Sequence, residues 1–312
     1  MKNQAEYDVV IIGGGVAGLS AALYTVRSNL KTLLVEKFAS GGQILNASEI
    51  ENYPGFPDGI SGPDLSQCLE KQVCKYGCNF KFDQVEKLEI DGDLRIAHGT
   101  ERDYVAKTVI IASGGEHKKL GVPGEEEFAG RGVSYCATCD GNFFAKQDVV
   151  VVGGGDSALD EGLYLARIVN KVTVVHRRSE LRASKVLQDR AFSNPKMQFV
   201  WNREVQEIKG NGHGVEKVVL KDVNGTKTEE IAASGVFVYI GFYPVTDYLK
   251  EIVETDNGGH IVTNIRMETS VPGIFACGDV RQYSDRQLGT AVGDGITAAL
   301  SAYRYISDAS NP

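Results

Sequence analysis

The chain has 312 residues, 42% of them hydrophobic and 24% charged, which is typical of a globular protein long enough for two domains. Its formal net charge of −8 argues against a nucleic-acid partner, because no basic run is available to neutralise phosphates. The apolar run near the N-terminus is too short for a signal peptide or a membrane span. We therefore expect a cytoplasmic protein without a membrane partner.

The chain begins with a pattern that is typical of a dinucleotide site. A buried parallel strand is predicted over Val9–Ile12, a helix over Leu19–Val26 and a second strand over Thr32–Val35. Between the first strand and the helix, the GxGxxG spacing is filled by Gly13, Gly15 and Gly18. Glu36 follows the second strand, about 20 residues after the first glycine, where a carboxylate can accept both ribose hydroxyls of an adenosine.

The next segment contains an irregular loop and then further strands. Proline and glycine between Gly41 and Pro57 exclude regular structure, so we predict a covering loop there. A helix is predicted over Asp64–Tyr76, and strands over Val85–Ile90 and Thr108–Ala112. The loop residues Gly121–Gly124 predict a crossing into another domain.

Two cysteines, Cys136 and Cys139, are separated by two residues and followed at once by Asp140. Without secretory features, such a pair indicates a redox centre, since one sulfur can attack a disulfide and its neighbour can resolve the mixed intermediate. Half of a zinc site and two unrelated core cysteines are the alternatives. Zinc would need a second pair of ligands, and the sequence has no second CxxC and no HxxxH. We expect Cys277 in the core, and Cys74 and Cys78 buried as small apolar residues.

The opening pattern recurs after the cysteine pair. A strand over Asp148–Val152, a helix over Leu159–Ile168 and a strand over Val172–Val175 enclose a GxGxxA motif formed by Gly153, Gly155 and Ala158. The position of Glu36 in the first copy is here taken by His176, and the basic residues after it are Arg177, Arg178 and Arg182. Guanidinium groups bind a 2′-phosphate, so this site is predicted to prefer NADPH over NADH. The alternative is a solvated basic helix start.

The last third of the chain returns to the first domain. A meander of antiparallel strands is predicted over Phe199–Ile231, a strand over Gly235–Ile240 and a return crossing at Gly241–Pro244. An apolar strand ends at Asp279, whose carboxyl can meet ribityl or pyrophosphate-linked oxygens if this strand rejoins the first sheet. The glycines at 293 and 295 are predicted to cap a closing helix over Ile296–Tyr305.

Two dinucleotide fingerprints in one chain predict an α/β fold of two Rossmann-like three-layer ββα nucleotide-binding domains, the second inserted in the first. The predicted FAD-binding domain comprises residues 1–120 and 245–312. The predicted NADPH-binding domain, residues 121–244, also carries the cysteine pair. A flavin fits between the two reactants, because NADPH delivers a hydride and a disulfide accepts two electrons.

The ordered set of motifs resembles the low-molecular-weight thioredoxin reductases of bacteria and archaea over essentially the whole chain. The motifs that carry the resemblance are Gly13–Gly18, Gly42-Gln43, Glu51–Gly55, Cys136–Asp140, Gly153–Ala158, His176–Arg178, Gly278-Asp279 and Arg286-Gln287. The resemblance implies a homodimeric FAD enzyme that passes a hydride from NADPH to FAD, then to the Cys136–Cys139 disulfide, and then reduces thioredoxin by dithiol exchange. It further implies that Asp140 exchanges a proton, that Cys139 forms the flavin adduct and that Cys136 attacks thioredoxin.

The same resemblance implies the cofactor-binding residues, and no metal site is expected. In the first domain these are Gly13, Gly15, Val16, Ala17, Gly18, Glu36, Lys37, Gly42, Gln43, Asn52, Ala112, Gly114, Gly278, Asp279, Arg286 and Gln287. In the second they are Gly153, Gly155, Asp156, Ser157, Ala158, His176, Arg177, Arg178 and Arg182. Two alternatives stay open: a related flavin enzyme that serves a glutaredoxin-like protein, a peroxiredoxin system or a small dithiol, and a non-catalytic flavin redox sensor.

Overall fold

A computed structural model describes residues 4–47, 50, 52–249 and 252–310. Its strands are β1 (Tyr7–Ile12), β2 (Thr32–Glu36), β3 (Asn79–Phe82), β4 (Val85–Asp91), β5 (Leu94–Gly99), β6 (Asp103–Ile111), β7 (Gly115–His117), β8 (Val133–Ser134), β9 (Asp148–Gly153), β10 (Lys171–His176), β11 (Met197–Trp201), β12 (Arg203–Asn211), β13 (Gly214–Asp222), β14 (Thr228–Ala232), β15 (Gly235–Tyr239), β16 (Phe242–Pro244) and β17 (Ile274–Ala276). Its α-helices are α1 (Val16–Arg27), α2 (Gly62–Lys75), α3 (Ala137–Asp140), α4 (Asp156–Ala166), α5 (Lys185–Phe192) and α6 (Leu288–Ser310).

The chain forms two compact units, one built from the residues up to Glu116 and from Tyr243 onward, the other from His117–Phe242. The predicted fold class, with the second α/β unit inserted in the first, is confirmed. The predicted domain ranges 1–120, 121–244 and 245–312 stay predictions, and the compact units change over a few residues earlier. Where the chain crosses, β7 pairs with β16.

In each unit, the residue before the first crossing or after it contacts the residue that flanks the second crossing. In the first unit the Tyr243 hydroxyl donates a hydrogen bond of 2.9 Å to the Glu116 carboxylate. In the second unit the rings of His117 and Phe242 meet edge to face, with centroids 5.1 Å apart. The two ends of the inserted segment are therefore neighbours.

The first unit is built on a sheet with the strand order β3-β2-β1-β6-β5-β4, and β17 also pairs with β6. The strands β1, β2, β3, β6 and β17 run parallel, and their central residues, such as Val10 and Ile110, are fully buried because both faces of the sheet are covered. In register, Ile12 is opposite both Val35 and Ile111, and Ile111 is opposite Ala276. The carboxyl ends of four strands therefore meet at one edge of the sheet.

The closing helix differs from its prediction. It begins at Leu288, so Gly293 and Gly295 lie inside the helix and do not cap it. A Cβ at position 295 would collide with the backbone oxygen of Ala17 on α1. Gly295 is therefore required for the close approach of α1 and α6, a packing reason that the local sequence does not reveal.

The second unit contains a parallel sheet with the strand order β11-β10-β9-β15-β8 and an antiparallel sheet, β12-β13-β14. One face of the parallel sheet packs on α4 through Val151 and Leu159, and the other packs on the antiparallel sheet through Val150 and Val218. These are the three predicted layers. The predicted meander was wrong at its start, because β11 is a parallel edge strand beside β10, and the antiparallel strands begin only at Arg203.

Candidate active site

The cysteine pair forms a disulfide at the first turn after edge strand β8. The Cα atoms of Cys136 and Cys139 are 5.3 Å apart, because Cys136 is the N-cap of the short helix α3 and Cys139 lies within that helix. Within this turn, the Cys139 N–H points to Cys136 Sγ at 3.2 Å, and the Asp140 N–H donates to the Cys136 carbonyl at 3.1 Å. The core-cysteine and half-zinc alternatives are thereby excluded for this pair.

Asp140 lies at the end of the same turn and is largely buried. Burial raises the pKa of its carboxyl, and a hydrogen bond from the Ser134 side chain opposes that rise. Ser134 also holds the turn itself, since its hydroxyl accepts from the Cys136 N–H at 3.1 Å and its oxygen lies 3.2 Å from the Cys136 carbonyl oxygen. A carboxyl with a raised pKa beside a disulfide is suited to hold a proton during thiol exchange.

Sequence reasoning missed a second carboxyl on the dithiol turn. Glu161 of α4 accepts the Ala137 N–H at 3.2 Å, and the Tyr239 hydroxyl lies 3.5 Å from the same oxygen. The sequence indicates that Glu161 lies on a helix, one turn after Ser157. It does not indicate a contact with Cys139, which is 22 residues earlier in the chain. The contact of Glu161 with the turn depends on how α3 packs on α4, which no local pattern encodes.

The segment that leads into the dithiol turn is held by a buried carboxylate that the sequence also did not single out. Glu125 is 2% exposed and accepts the N–H groups of Leu120 and Gly121 at 2.8 and 2.7 Å. Its Oε1 also accepts the Tyr135 hydroxyl at 2.8 Å. Because Tyr135 immediately precedes Cys136, this carboxylate ties the crossing segment to the dithiol turn.

The first fingerprint lies at the edge where β1, β2, β6 and β17 end. Gly13 has a left-handed φ of 106°, and a Cβ there would collide with the backbone of Ala112, so only glycine fits. Glu36 reaches back to the loop, and its Oε2 accepts the Gly14 N–H at 2.6 Å. Nothing lies within 4 Å of a Cβ placed on Gly15, and no side chain caps the N-terminus of α1. This open N-terminus is suited to a pyrophosphate.

The returning chain brings the remaining predicted residues to the same edge. Gly278 has a φ of 75°, and its N–H donates to the buried Asp294 carboxylate at 3.2 Å. The Arg281 guanidinium binds both oxygens of Asp294, at 2.6 and 3.0 Å. This buried ion pair, which the sequence did not indicate, fixes the turn that carries Asp279. Burial raises the pKa of Asp279.

The loop residues of the first unit lie at the periphery of this edge. The Gln43 amide donates to the Gly115 carbonyl at 2.9 Å, and the Asn52 amide donates to the Gln287 side chain at 3.3 Å. Ala112 is buried, whereas Lys37, Gly42 and Arg286 are exposed. Glu51 of the predicted motif lies outside the described residues.

The second fingerprint differs from the first at the residue after the returning strand. His176 is 5% exposed, and its Nε2 is 3.0 Å from the Glu180 carbonyl, so the ring donates from Nε2. A Cβ on Gly154 would collide with the His176 ring, so the imidazole lies directly against the glycine loop. Burial lowers the pKa of His176, as do the charges of the three nearby arginines. The lowered pKa favours the neutral imidazole, which lies against the glycine loop, and the predicted cofactor contact of His176 stays a prediction.

The three predicted arginines surround an open cavity of about 440 Å³. Its other lining residues include Asn202 and Asn224, which the sequence did not single out. The loop is held by the Gly154 carbonyl, which accepts the Arg182 N–H at 2.7 Å. Asp156 holds the same loop, since its carboxylate accepts the Ser184 N–H at 2.6 Å. Three guanidinium groups around one cavity fit an anion of high charge.

The residues present fit both expected cofactors. A dinucleotide in the first unit would lie on the open N-terminus of α1. Each carboxylate oxygen of Glu36 already accepts one backbone N–H. Each oxygen would keep a further lone pair for a ribose hydroxyl. In the second unit, α4 also begins without a side-chain cap, at Gly155 beside the arginine cavity. Ser157 is exposed near this N-terminus, and Ala158 is fully buried beneath it.

The remaining cysteines are single thiols. Cys277 is fully buried, as predicted, and burial raises its pKa. Cys78 is half-buried, and burial raises its pKa to about 12. Cys74 was predicted to be buried but is exposed, because α2 turns this position toward solvent, as it does Cys68.

Comparisons with known proteins agree along nearly the whole chain. Residues 7–295 match the family model described as pyridine nucleotide-disulphide oxidoreductase. The thioredoxin reductase of Bacillus subtilis is 48% identical over 309 residues, which cover 99% of this chain and 97% of the relative. The crystal structure of thioredoxin reductase from Streptococcus pyogenes is 50% identical, has a TM-score of 0.93 and matches over 97% of this chain and 98% of that chain.

A more distant structure gives the same result. The thioredoxin reductase from Giardia duodenalis is 33% identical, with a TM-score of 0.92 over 97% of this chain and 100% of that chain.

None of the helices in the described part of the chain has the length and apolar character that a bilayer crossing requires.

Proposed function

The chain belongs to the pyridine nucleotide-disulphide oxidoreductases and is a low-molecular-weight thioredoxin reductase with a redox-active Cys136–Cys139 disulfide; from this premise we propose how its two units divide the reaction. The first unit holds FAD, and the second holds NADPH and carries the disulfide. The observation that supports this division most strongly is the arginine cavity in the same unit as the disulfide.

FAD, when bound, supplies the two-electron transfer that links a hydride donor to a disulfide. Its pyrophosphate would lie on the N–H groups at the start of α1, where the loop around Gly15 leaves open space. Glu36 would accept hydrogen bonds from the adenosine ribose, and Asp279 from the linking chain. The predicted loop residues Gln43, Asn52 and Gln287 would complete the site.

NADPH would be selected over NADH by the charges of Arg177, Arg178 and Arg182. A 2′-phosphate carries nearly two negative charges, and each guanidinium can donate two parallel hydrogen bonds to it. NADH lacks that phosphate and would leave the three cations unpaired. The neutral His176 supports the arginine loop from beneath and adds no charge.

Two electrons and two protons convert the Cys136–Cys139 disulfide to two thiols. In the outgoing half-reaction, the Cys136 thiolate attacks the thioredoxin disulfide, so that a mixed disulfide forms and one partner sulfur leaves as a thiolate. Cys139 then attacks Cys136 Sγ, which closes the disulfide and releases reduced thioredoxin. Asp140, with its raised pKa, would hold the proton that the leaving sulfur takes up.

The substrate protein proposed is thioredoxin, and the assembly and compartment proposed are a homodimer in the cytoplasm. The relatives are named for thioredoxin.

The proposal is tested by the rate at which the enzyme reduces oxidised thioredoxin with NADPH, with NADH, and after Cys136→Ser or Cys139→Ser. We expect each serine variant to lose thioredoxin reduction, because the exchange needs both sulfurs, and NADH to be a poor donor. Rapid-mixing absorbance should still show the flavin reduced by NADPH in both variants. Full thioredoxin turnover in Cys136→Ser would contradict the proposal.

A further inference from the structure

The dithiol turn, Cys136–Asp140, is contacted by the carboxylate of Glu161, which belongs to α4. Glu161 lies on α4 and is half-buried, and its Oε2 is 3.2 Å from the Ala137 nitrogen and 3.5 Å from the Tyr239 hydroxyl oxygen. Ala137 is fully buried, so its N–H has no access to water and needs a protein acceptor. Glu161 is that acceptor.

This hydrogen bond determines which backbone N–H groups can donate to Cys136 Sγ. Ala137 directly follows Cys136, and its N–H is directed to Glu161. The Cys139 N–H and the Thr138 hydroxyl contact Cys136 Sγ, at 3.2 and 3.3 Å. A thiolate is stabilised by N–H donors and destabilised by a neighbouring negative charge. Glu161 therefore withdraws one donor from the vicinity of Cys136 and brings a negative charge near it.

We propose that Glu161 is a positioning residue of the dithiol, which holds the turn through Ala137 and disfavours the thiolate of Cys136. The inference rests on the proposed function, in which this dithiol is the outlet for electrons. A less stable thiolate makes the reduced pair less stable relative to the disulfide, and such a pair is the stronger reductant. Glu161 thus favours electron transfer from the enzyme to its partner.

The charged and titratable groups around this carboxylate come from three elements. Asp160 is its neighbour on α4, Tyr239 is at the end of β15, and Asp140 is on the dithiol turn. Burial and the charge of Asp160 raise the pKa of Glu161, whereas hydrogen bonds from Ala137, Tyr239 and Thr138 favour its ionised form. Among these described neighbours there is no basic group to neutralise the carboxylate when it is ionised.

The test is the pH profile of Cys136 alkylation in the dithiothreitol-reduced holoenzyme, with iodoacetamide pulses read by fragment-ion mass spectrometry. Glu161→Gln keeps an oxygen that accepts the Ala137 N–H and removes only the charge. We expect the midpoint for Cys136 to fall by about one pH unit in this variant. Cys68 and Cys74, both exposed on α2, are internal controls whose profiles should not move. Asp189→Asn, an exposed residue on α5 of the same unit, is the matched control for loss of one charge.

The equilibrium of the dithiol with dithiothreitol provides a second measurement. At a pH well above both Cys136 midpoints, the equilibrium in Glu161→Gln should shift toward the reduced enzyme by about tenfold, the equivalent of one pH unit. Glu161→Ala also frees the Ala137 N–H and should lower the midpoint at least as far; if it does not fold, Glu161→Gln decides alone.

A Cys136 profile in Glu161→Gln that coincides with the wild type, or that moves to higher pH, would overturn the proposal. Neither measurement uses NADPH or thioredoxin. A wild-type enzyme that failed to reduce thioredoxin would therefore refute the proposed function separately, whatever the alkylation profiles showed.

Discussion

The two glycine fingerprints have the same topology but use the residue after the second strand in opposite ways. In the first, Glu36 lies in front of the loop and accepts the Gly14 N–H. In the second, His176 lies under the loop against Gly154 and points its Nε2–H away to the Glu180 carbonyl. The first arrangement presents a carboxylate at the site. The second presents only the arginines that follow. The difference shows that the same position can place an acceptor on the loop backbone in one copy and a ring beneath the loop in the other.

The largest expected effects come from the first glycine of each fingerprint. Gly13 and Gly153 have φ angles of 106° and 152°, and a Cβ on either would collide with backbone, of Ala112 and Tyr239 respectively. Alanine at either position should destabilise its unit by about 3 kcal/mol. We expect Gly13→Ala to lose bound flavin and Gly153→Ala to retain flavin but lose NADPH binding, measured by visible absorbance after gel filtration and by nucleotide titration.

Gly15→Ala and Gly155→Ala are the matched stability controls for these variants. A Cβ at either position meets no protein atom within 4 Å, so thermal unfolding of both variants, compared as apoproteins, should be close to that of the wild-type apoprotein. If Gly13→Ala and Gly15→Ala unfolded at the same temperature, the collision with Ala112 would not be the reason for the glycine.

A smaller effect is expected from the arginines that only the second copy has. Arg178→Ser should raise the KM for NADPH by about 10- to 100-fold, since a charged hydrogen bond contributes roughly 1.5–3 kcal/mol. The KM for NADH should change little, and steady-state kinetics with both nucleotides would measure the difference. Arg190→Ser, an exposed position on α5, removes the same charge away from the cavity. An equal loss for NADH would show that Arg178 does not recognise the phosphate.

The smallest effect is the pH dependence of stability that His176 contributes in the second copy. Because the folded-state pKa of His176 is lowered, the unfolded chain takes up a proton more readily as the pH falls below about 6.5. The stabilising contribution of neutral His176 is therefore complete above that pH and is lost on acidification, with a slope of at most about 1.4 kcal/mol per pH unit.

His176→Gln should flatten the dependence of unfolding free energy on pH between 5 and 7, measured by denaturant titration. The side-chain amide of glutamine has a donor for the Glu180 carbonyl and does not titrate. His213→Gln, on the exposed turn between β12 and β13, is the control and should leave the slope unchanged. An unchanged slope in His176→Gln would assign the acid sensitivity to other groups.

The sequence predicted the elements whose signals are local. Apolar runs followed by glycines marked β1 and β9, and the spacing of Cys136 and Cys139 marked the redox pair. What the sequence did not predict depends on contacts between distant segments. Gly295 looked like a cap because its neighbour Ala17 is far away in the chain, and β11 looked antiparallel because its pairing with β10 is not visible locally.

The same reason explains the site residues that were missed. Glu161 and the Arg281–Asp294 ion pair act through tertiary hydrogen bonds that leave no motif in the sequence. His176 was found through its position in the fingerprint, but composition cannot show that its ring lies against Gly154. The cofactor assignments of all the site residues, His176 included, stay predictions.

The closure of the chain at the insertion point has an evolutionary consequence. Because His117 and Phe242 touch, the middle segment begins and ends at one place, and Glu116 and Tyr243 would still meet without it. A gene can acquire or exchange such a cassette with two junctions and no rearrangement of its flanks. The disulfide of this enzyme is therefore carried on one contiguous segment that begins and ends at the same place, so the segment can be replaced as a unit.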